Sequence, residues 1–109
     1  MIWEVEYLEE AKDDLKRLDN SVSCQVLKGI KKVQQNPLPN YEGGYGKPLG
    51  NKDNNNLTDL LKIKFVKIGI RVVYKLVREN NKMKIVVISA RAENEVYRLA
   101  GERKNNYGL

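Results

Sequence analysis

Two lysines, Lys62 and Lys64, stand two residues apart in a stretch that alternates apolar and charged side chains, LLKIKF. On a strand both project from one face, roughly 6.5–7 Å apart along the chain. Arg71 follows in a second alternating run. If the connection is Val66–Gly69, Phe65 pairs with Ile70 and Lys64 lies opposite Arg71. That register keeps Leu61, Ile63, Phe65, Ile70 and Val72 on a common apolar face. It also sets like charges across from each other, which works against stability. Three cations gathered in this way suit a site that grips a phosphate. The same lysines suit a solvent face that resists edge-to-edge aggregation, and the residues alone leave both readings open. Arg91 ends the next apolar run, and Tyr97 comes six residues later on a helical pattern. A tyrosine there is most often core, but Tyr97 lies about 100° around the helix from Val96 and can sit at the rim.

The residue types also exclude chemistry. The chain has no histidine, which removes Ser-His-Asp and Cys-His catalysis, histidine-bound zinc and His-pair ribonuclease mechanisms. Its single cysteine, Cys24, rules out an internal disulfide and a multi-cysteine metal cage, and is expected to pack within a helix. No metal and no cofactor is expected.

The net charge of +6 is unevenly spread. Residues 1–56 carry 8 basic and 9 acidic side chains, residues 57–109 carry 12 basic and 5 acidic. The excess therefore belongs to the half that holds the Lys/Arg group, and it points to a polyanionic or acidic partner.

These side chains need a scaffold, and the periodicity supplies one. Residues 2–7 alternate as a half-buried strand, with Trp3, Val5 and Tyr7 on one side. Leu8, Ala11, Leu15 and Leu18 fall on a helical stripe, with Glu9, Glu10, Asp13 and Asp14 where the helix dipole favours anions. Asn20 and Ser21 are N-cap candidates for a second helix carrying Val22, Val26, Ile30 and Val33, which must stop before Pro37. Residues 36–58, rich in Gly, Pro and Asn, read as a long loop. Tyr41 and Tyr45 within it could stack on bases or pack on a sheet edge. Three strands follow, with turns at Ile68-Gly69 and Glu79–Lys82, the last strand being Met83–Ala90. Ala92–Arg103 reads as a closing helix and 105–109 as a frayed tail. The expected fold is α+β, β-α-α-β-β-β-α. An antiparallel sheet packs on an N-terminal helical hairpin, with a C-terminal helix, as one domain over 1–109. No stretch approaches the ~20 apolar residues of a membrane span. The acidic start MIWEVEYLEE does not read as a signal peptide, so a cytoplasmic location is expected.

The segments LLKIKFVKIGIRVVYKLV and IVVISARAENEVYRLA, with EEAKDDLKRLDNSV and GKPLGN before them, resemble the RelE branch of the RelE/ParE toxin superfamily from Trp3 to Arg103. The resemblance implies a ribosome-dependent mRNA endonuclease, the toxin of a type II toxin–antitoxin pair. It assigns the active positions to Lys62, Lys64, Arg71, Arg91 and Tyr97, all present as the family's residue types. Two departures stand out. Val66 occupies a place where some members carry another arginine, with Lys67 beside it, and the Lys52–Asp59 stretch is longer and Asn-rich. The implied partners are an acidic antitoxin, mRNA and the 70S ribosome with its rRNA, and promoter DNA only through the antitoxin complex. Lys67 and Lys75 are expected to add RNA contacts.

The implied chemistry is consistent with the residues. RNA cleaves without metal when its 2′-hydroxyl attacks the adjacent phosphate. Arg71, with its planar fork, suits the phosphate clamp, and Lys64 shares the developing charge. Arg91 would sit near the leaving oxygen. Tyr97 or Lys62 would serve as base, helped by the surrounding cations, and the choice between them stays open. Neither titrates near neutrality unaided, so positioning on the ribosome supplies the missing power. The nearest alternative is a ParE-like inhibitor of DNA gyrase, which would not need the five-residue set. A non-catalytic nucleic-acid-binding or inactive homologue would be expected to offer stacking aromatics, and aromatics are only 7%, with Trp3, Tyr7 and Phe65 assigned to the core.

Overall fold

The alternating and helical patterns resolve into eight elements in a computed structural model that describes residues 3–52, 55–90 and 92–109. They are β1 (Glu4–Tyr7), α1 (Glu9–Lys16), α2 (Asn20–Gln34), β2 (Lys47–Lys52), β3 (Asn55–Phe65), β4 (Ile70–Val77), β5 (Lys82–Ser89) and α3 (Glu93–Asn106). The sheet order is β1-β5-β4-β3-β2. From β2 to β5 neighbours are antiparallel, and the β3–β4 hairpin has the register expected from its alternation: Phe65 opposite Ile70 and Lys64 opposite Arg71. Gly69 closes that hairpin at φ 66°, a backbone conformation glycine adopts without steric penalty.

Five expectations need correction. The stretch 36–58 is not one long loop, because β2 and the first part of β3 form an antiparallel pair inside it. Edge position explains how Pro48 and Gly50 are accommodated: an edge strand can leave one side of its ladder open, and the register shifts between these two residues. Leu49 and Leu57 are fully buried there, which anchors the pair. The sheet is mixed rather than antiparallel throughout, since β1 lies parallel to β5. The tail 105–109 is not frayed. α3 continues to Asn106, the Tyr107 hydroxyl donates to Glu10 Oε1 at 2.5 Å, and the Leu109 main-chain oxygen accepts from Lys75 Nζ at 2.9 Å. The N-cap of α2 is Asp19 and not Asn20 or Ser21, and Cys24 is exposed on that helix instead of packed.

The helical hairpin and α3 cover opposite faces. Val26, Ile30 and Val33 of α2 bury against the face carrying Leu61, Ile70, Val72 and Tyr74. Approach is close enough that a Cβ at Gly29 would collide with the Phe65 ring. Tyr74 is fully buried and donates its hydroxyl to the Pro37 carbonyl at 2.7 Å; burial pushes its phenol well above the usual range. Val96, Tyr97 and Ala100 of α3 cover the other face.

One buried ion pair joins three of these elements. β1 ends at Tyr7, and beyond the Leu8 N–H to Ile85 carbonyl bond no strand among the described residues lies on that side of β5. Asp14 of α1 and Arg103 of α3 take the place of a strand. Asp14 Oδ2 accepts from the Ile88 N–H at 3.0 Å, and Arg103 Nη1 donates to the Val86 carbonyl at 2.9 Å. The two meet at 2.6 Å, with a second, longer contact at 3.3 Å, and their side chains are only 8% and 11% exposed. β5 also carries a bulge here. Val73 faces Val87 while Tyr74 faces Ile85, so Val86 is the extra residue whose carbonyl Arg103 reaches.

Removing one partner would strand a buried charge. Asp14→Ala is therefore expected to lose roughly 3–5 kcal/mol in urea unfolding. The Asp14→Ala/Arg103→Met double variant should lose much less than the sum of the two single losses. Surface carboxylates set the acid limit. Lys82, Tyr107 and Arg78 hold Glu6, Glu10 and Glu42 below the ordinary value of 4.5 by hydrogen bonds to the ionised form. Depressed carboxylates stabilise the fold above their unfolded value and cease to as pH falls through their folded ones. The urea midpoint is thus expected to be level near pH 6 and to fall steadily below about pH 4.5, with Tyr107→Phe making the acid limb shallower.

Candidate nucleic-acid interface and active site

The hairpin register places Lys64, Arg71 and Ser89 side by side on β3, β4 and β5. Neighbouring strands lie about 4.8 Å apart, so the row spans roughly 10 Å. One pleat away, Lys62 sits between Val73 on β4 and Lys47 on β2. All of these belong to the face that α3 covers. Lys64 and Lys47 are exposed, Lys62 and Arg71 half-buried.

α3 brings Tyr97 to the same face. Its sequence forms a helix for ordinary reasons: Val96, Tyr97 and Ala100 bury together, Arg98 pairs with Glu102 one turn on at 2.7 Å, and Arg103 and Lys104 occupy the last turn, where the dipole favours cations. Its far end is held by Arg103 and Tyr107. At its near end Tyr97 is 4% exposed, so it is buried and not at the rim. Its hydroxyl oxygen accepts from Lys62 Nζ at 2.6 Å, with the ammonium 5.3 Å from the ring centroid. Buried phenols need a partner for their polar tip, and here the partner is a cation on the sheet.

Lys62, Lys64, Arg71 and Tyr97 therefore come together, while Arg91 lies outside the described residues. Lys67 is exposed on the Val66–Ile68 turn, at the margin of the group. Lys75 is four residues along β4 from Arg71, about 13 Å away, and spends its ammonium on the Leu109 oxygen. Tyr41 and Tyr45 are exposed, and neither packs as core against a sheet edge. Lys47 and Ser89 were missed. Lys47 becomes a neighbour of Lys62 only once β2 is recognised as a strand. Ser89 could have been found by carrying the Lys64–Arg71 register one strand further.

Electrostatically the group is a cluster of cations around one buried phenol, suited to holding phosphate and stabilising added negative charge on it. Among the described residues no three cysteine, aspartate or glutamate side chains are grouped as metal ligands. A cleft of about 680 Å³ opens at the other end of the sheet, between Tyr41, Asp59, Lys75, Arg78 and Leu109, and shares no residue with the cluster. No helix among the described residues is long and apolar enough to cross a membrane.

No protein-family model matches the chain. It is 32% identical over 104 residues to a RelE-like toxin protein of Escherichia coli, spanning 94% of this chain and 98% of that one. The free state of a doubly substituted E. coli toxin RelE superposes with a TM-score of 0.69 at 25% identity, covering 94% of this chain and 98% of the other. The RelBE2 toxin–antitoxin complex of Mycobacterium tuberculosis gives 0.67 at 20% identity over 84% of this chain and 100% of that one. The intact E. coli RelBE complex gives 0.62 at 23% identity, covering 84% and 98%. The last two likenesses concern the fold.

The Lys62–Tyr97 contact is testable without any assay of activity. In a double-mutant cycle of Lys62→Met and Tyr97→Phe, the two changes are expected to couple by about 1–2 kcal/mol in urea unfolding. Strict additivity would mean that the hydrogen bond does not hold α3 to the sheet.

Proposed function

Because the chain belongs to the RelE-like toxin family, we propose that it is a metal-independent endoribonuclease that cleaves mRNA in the ribosomal A site and so halts translation. The observation that carries this reading is the convergence, on one sheet face, of Lys62, Lys64 and Arg71 with a buried tyrosine whose oxygen lies 2.6 Å from Lys62. Three tasks are needed: removing the 2′-hydroxyl proton, holding a phosphorane with extra negative charge, and protonating the departing 5′ oxygen.

Arg71 and Lys64, opposite each other on adjacent strands, clamp the scissile phosphate. Two cations so placed stabilise the added negative charge of the transition state more than the charge of the ground state. Lys62 and Tyr97 act as a unit on the 2′-hydroxyl. The ammonium holds the phenolic oxygen in place and favours negative charge on it, as a phenol acting as base requires. Arg91 takes the leaving oxygen by the family's pattern. None of these groups is a strong acid or base catalyst at neutral pH, and the ribosome contributes by fixing the RNA in line.

Two relatives by fold are toxins seen with an antitoxin, in the RelBE2 and RelBE complexes. An antitoxin partner for this chain follows by analogy, acidic to match the +6 charge. It would act in the cytoplasm, with promoter DNA bound only through the antitoxin.

Purified protein should cut a defined mRNA only on programmed ribosomes, with cuts mapped by primer extension. Arg71→Ala is expected to reduce cleavage by about a hundredfold or more while leaving the circular dichroism unchanged. Lack of cleavage by the unmodified protein in both arms overturns the reading and points instead to gyrase inhibition.

A further inference from the structure

The cleft at the far end of the sheet takes no part in the site described above, and it opens where two strands part. Among the described residues the β3–β4 ladder ends at Leu60 opposite Lys75, whereas the β4–β5 ladder continues to Val77 opposite Lys82. β3 is irregular at that point. Between the pairs Leu61–Pro48 and Leu57–Gly50 it advances four residues while β2 advances two, and Asp59 within this bulge sits at φ 70°. A left-handed backbone at a residue other than glycine costs energy, and such positions gather where ligands are held. Asp59 closes the stretch Lys52–Asp59, in which the chain departs from the toxin family's pattern, so that pattern does not foretell the gap. The resulting space of about 680 Å³ suits a small ligand.

Three kinds of group line it. Lys75 and Lys84 stand opposite each other on β4 and β5, both half-buried. Lys84 approaches Glu6 at 3.9 Å, and Lys75 donates to the Leu109 main-chain oxygen at 2.9 Å. Tyr41 forms one wall, with its ring 76% exposed. The short turn that carries it is pinned, because Arg78 holds the adjacent Glu42 through two contacts of 3.0 and 2.6 Å. Asp59 and Glu79, both exposed, add carboxylates. Together these groups narrow the ligand. The carboxylates repel a bare polyanion, and an apolar ligand leaves two ammonium groups unanswered. A nucleoside diphosphate answers all three: phosphates meet the lysines, the ring stacks on Tyr41, and ribose hydroxyls donate to the carboxylates.

The protein's own tail shows where a phosphate oxygen would lie. α3 closes in a Schellman turn: Gly108 sits at φ 65° and donates to the Asn105 carbonyl at 3.2 Å, and Leu109 donates to the Lys104 carbonyl at 2.9 Å. The turn directs the Leu109 oxygen onto Lys75, at the wall of the cleft. We propose that the cleft between β3 and β4 binds a free nucleoside diphosphate, with its ring on Tyr41, its phosphates on Lys75 and Lys84, and its ribose on Asp59 and Glu79. Binding takes Lys75 from the Leu109 oxygen and so frees the last turn of α3. The proposal goes beyond the nuclease reading and does not depend on it.

The test is calorimetric titration of the full chain with ADP, GDP and inorganic pyrophosphate. A nucleotide is expected to bind one to one and about tenfold or more tighter than pyrophosphate, since only the nucleotide stacks. Tyr41→Ala, at an exposed position, is expected to weaken it about tenfold or more with the circular dichroism unchanged. Lys75→Met should weaken it by a similar factor. In a parallel NMR titration the Gly108 and Leu109 amide signals should shift as the tail loses Lys75. Four results would overturn the proposal. Neither nucleotide binds up to about 1 mM. Pyrophosphate binds as tightly as the nucleotides, which means an adventitious ion only. Binding survives both Tyr41→Ala and Lys75→Met, or is lost in Arg71→Ala, which places the nucleotide on the active face. A short oligoribonucleotide binds the cleft while the free nucleotides do not, which makes it part of an RNA surface. Absence of mRNA cleavage would count against the nuclease reading alone and leave each of these outcomes readable.

Discussion

The uncovered edge of β5 is the constraint from which the architecture follows. β1 is too short to cover it, and bare strand edges invite pairing with other chains. Asp14 and Arg103 close that edge by mimicking a strand, one accepting from a main-chain N–H, the other donating to a main-chain carbonyl. Because the two residues come from α1 and α3, closing the edge also fixes both helices relative to the sheet. Tyr97 is carried by α3, so its place above Lys62 is inherited from an ion pair nearer the helix's other end. A hydrophobic pair of similar volume could bury as much surface, but it could not satisfy the two main-chain groups.

The balance of charge follows a similar logic. Carboxylates are used where cations must be quiet: Glu6 against Lys82 and Lys84, Glu42 against Arg78, Glu102 against Arg98. On the face that α3 covers, Lys47 stands opposite Lys62 and Lys64 opposite Arg71. The buried core has Tyr74, Ile85, Val86 and Val87 at its centre.

Much of this was legible in the sequence wherever local period dominates. The β3–β4 register could be written down in advance, because a turn at Val66–Gly69 pairs Phe65 with Ile70 and so keeps Leu61, Ile63 and Phe65 on the same face as Ile70 and Val72. Both early helices were readable from their stripes. β2 was not, because its Gly, Pro and Asn content speaks against a strand, and only pairing with β3 and the burial of Leu49 and Leu57 make it one. The parallel placement of β1 was hidden for a different reason: adjacency of the first and last strands is a long-range contact with no local signature. The same holds for Asp14, which looks like one more acid in a helix's first turns, and for the docked tail, whose partners Glu10 and Lys75 are far away in the chain. Tyr97 was assigned through the family resemblance, but its burial depended on where α3 settles.

The bulge at Val86 divides β5 into two segments of opposite parity. Before it, Ile85 and Met83 face the core under α2; after it, Ile88 does, and Ser89 turns toward Arg71. If the same strand paired with β4 one to one, with no bulge, Ile88 would stand beside Arg71 and Ser89 would point into the apolar layer. The strand thus behaves like a ruler with a half-step built in. A relative could lose Val86 and keep every facing pair, Val87 by Val73 and Ser89 by Arg71, but it would lose the carbonyl that Arg103 holds.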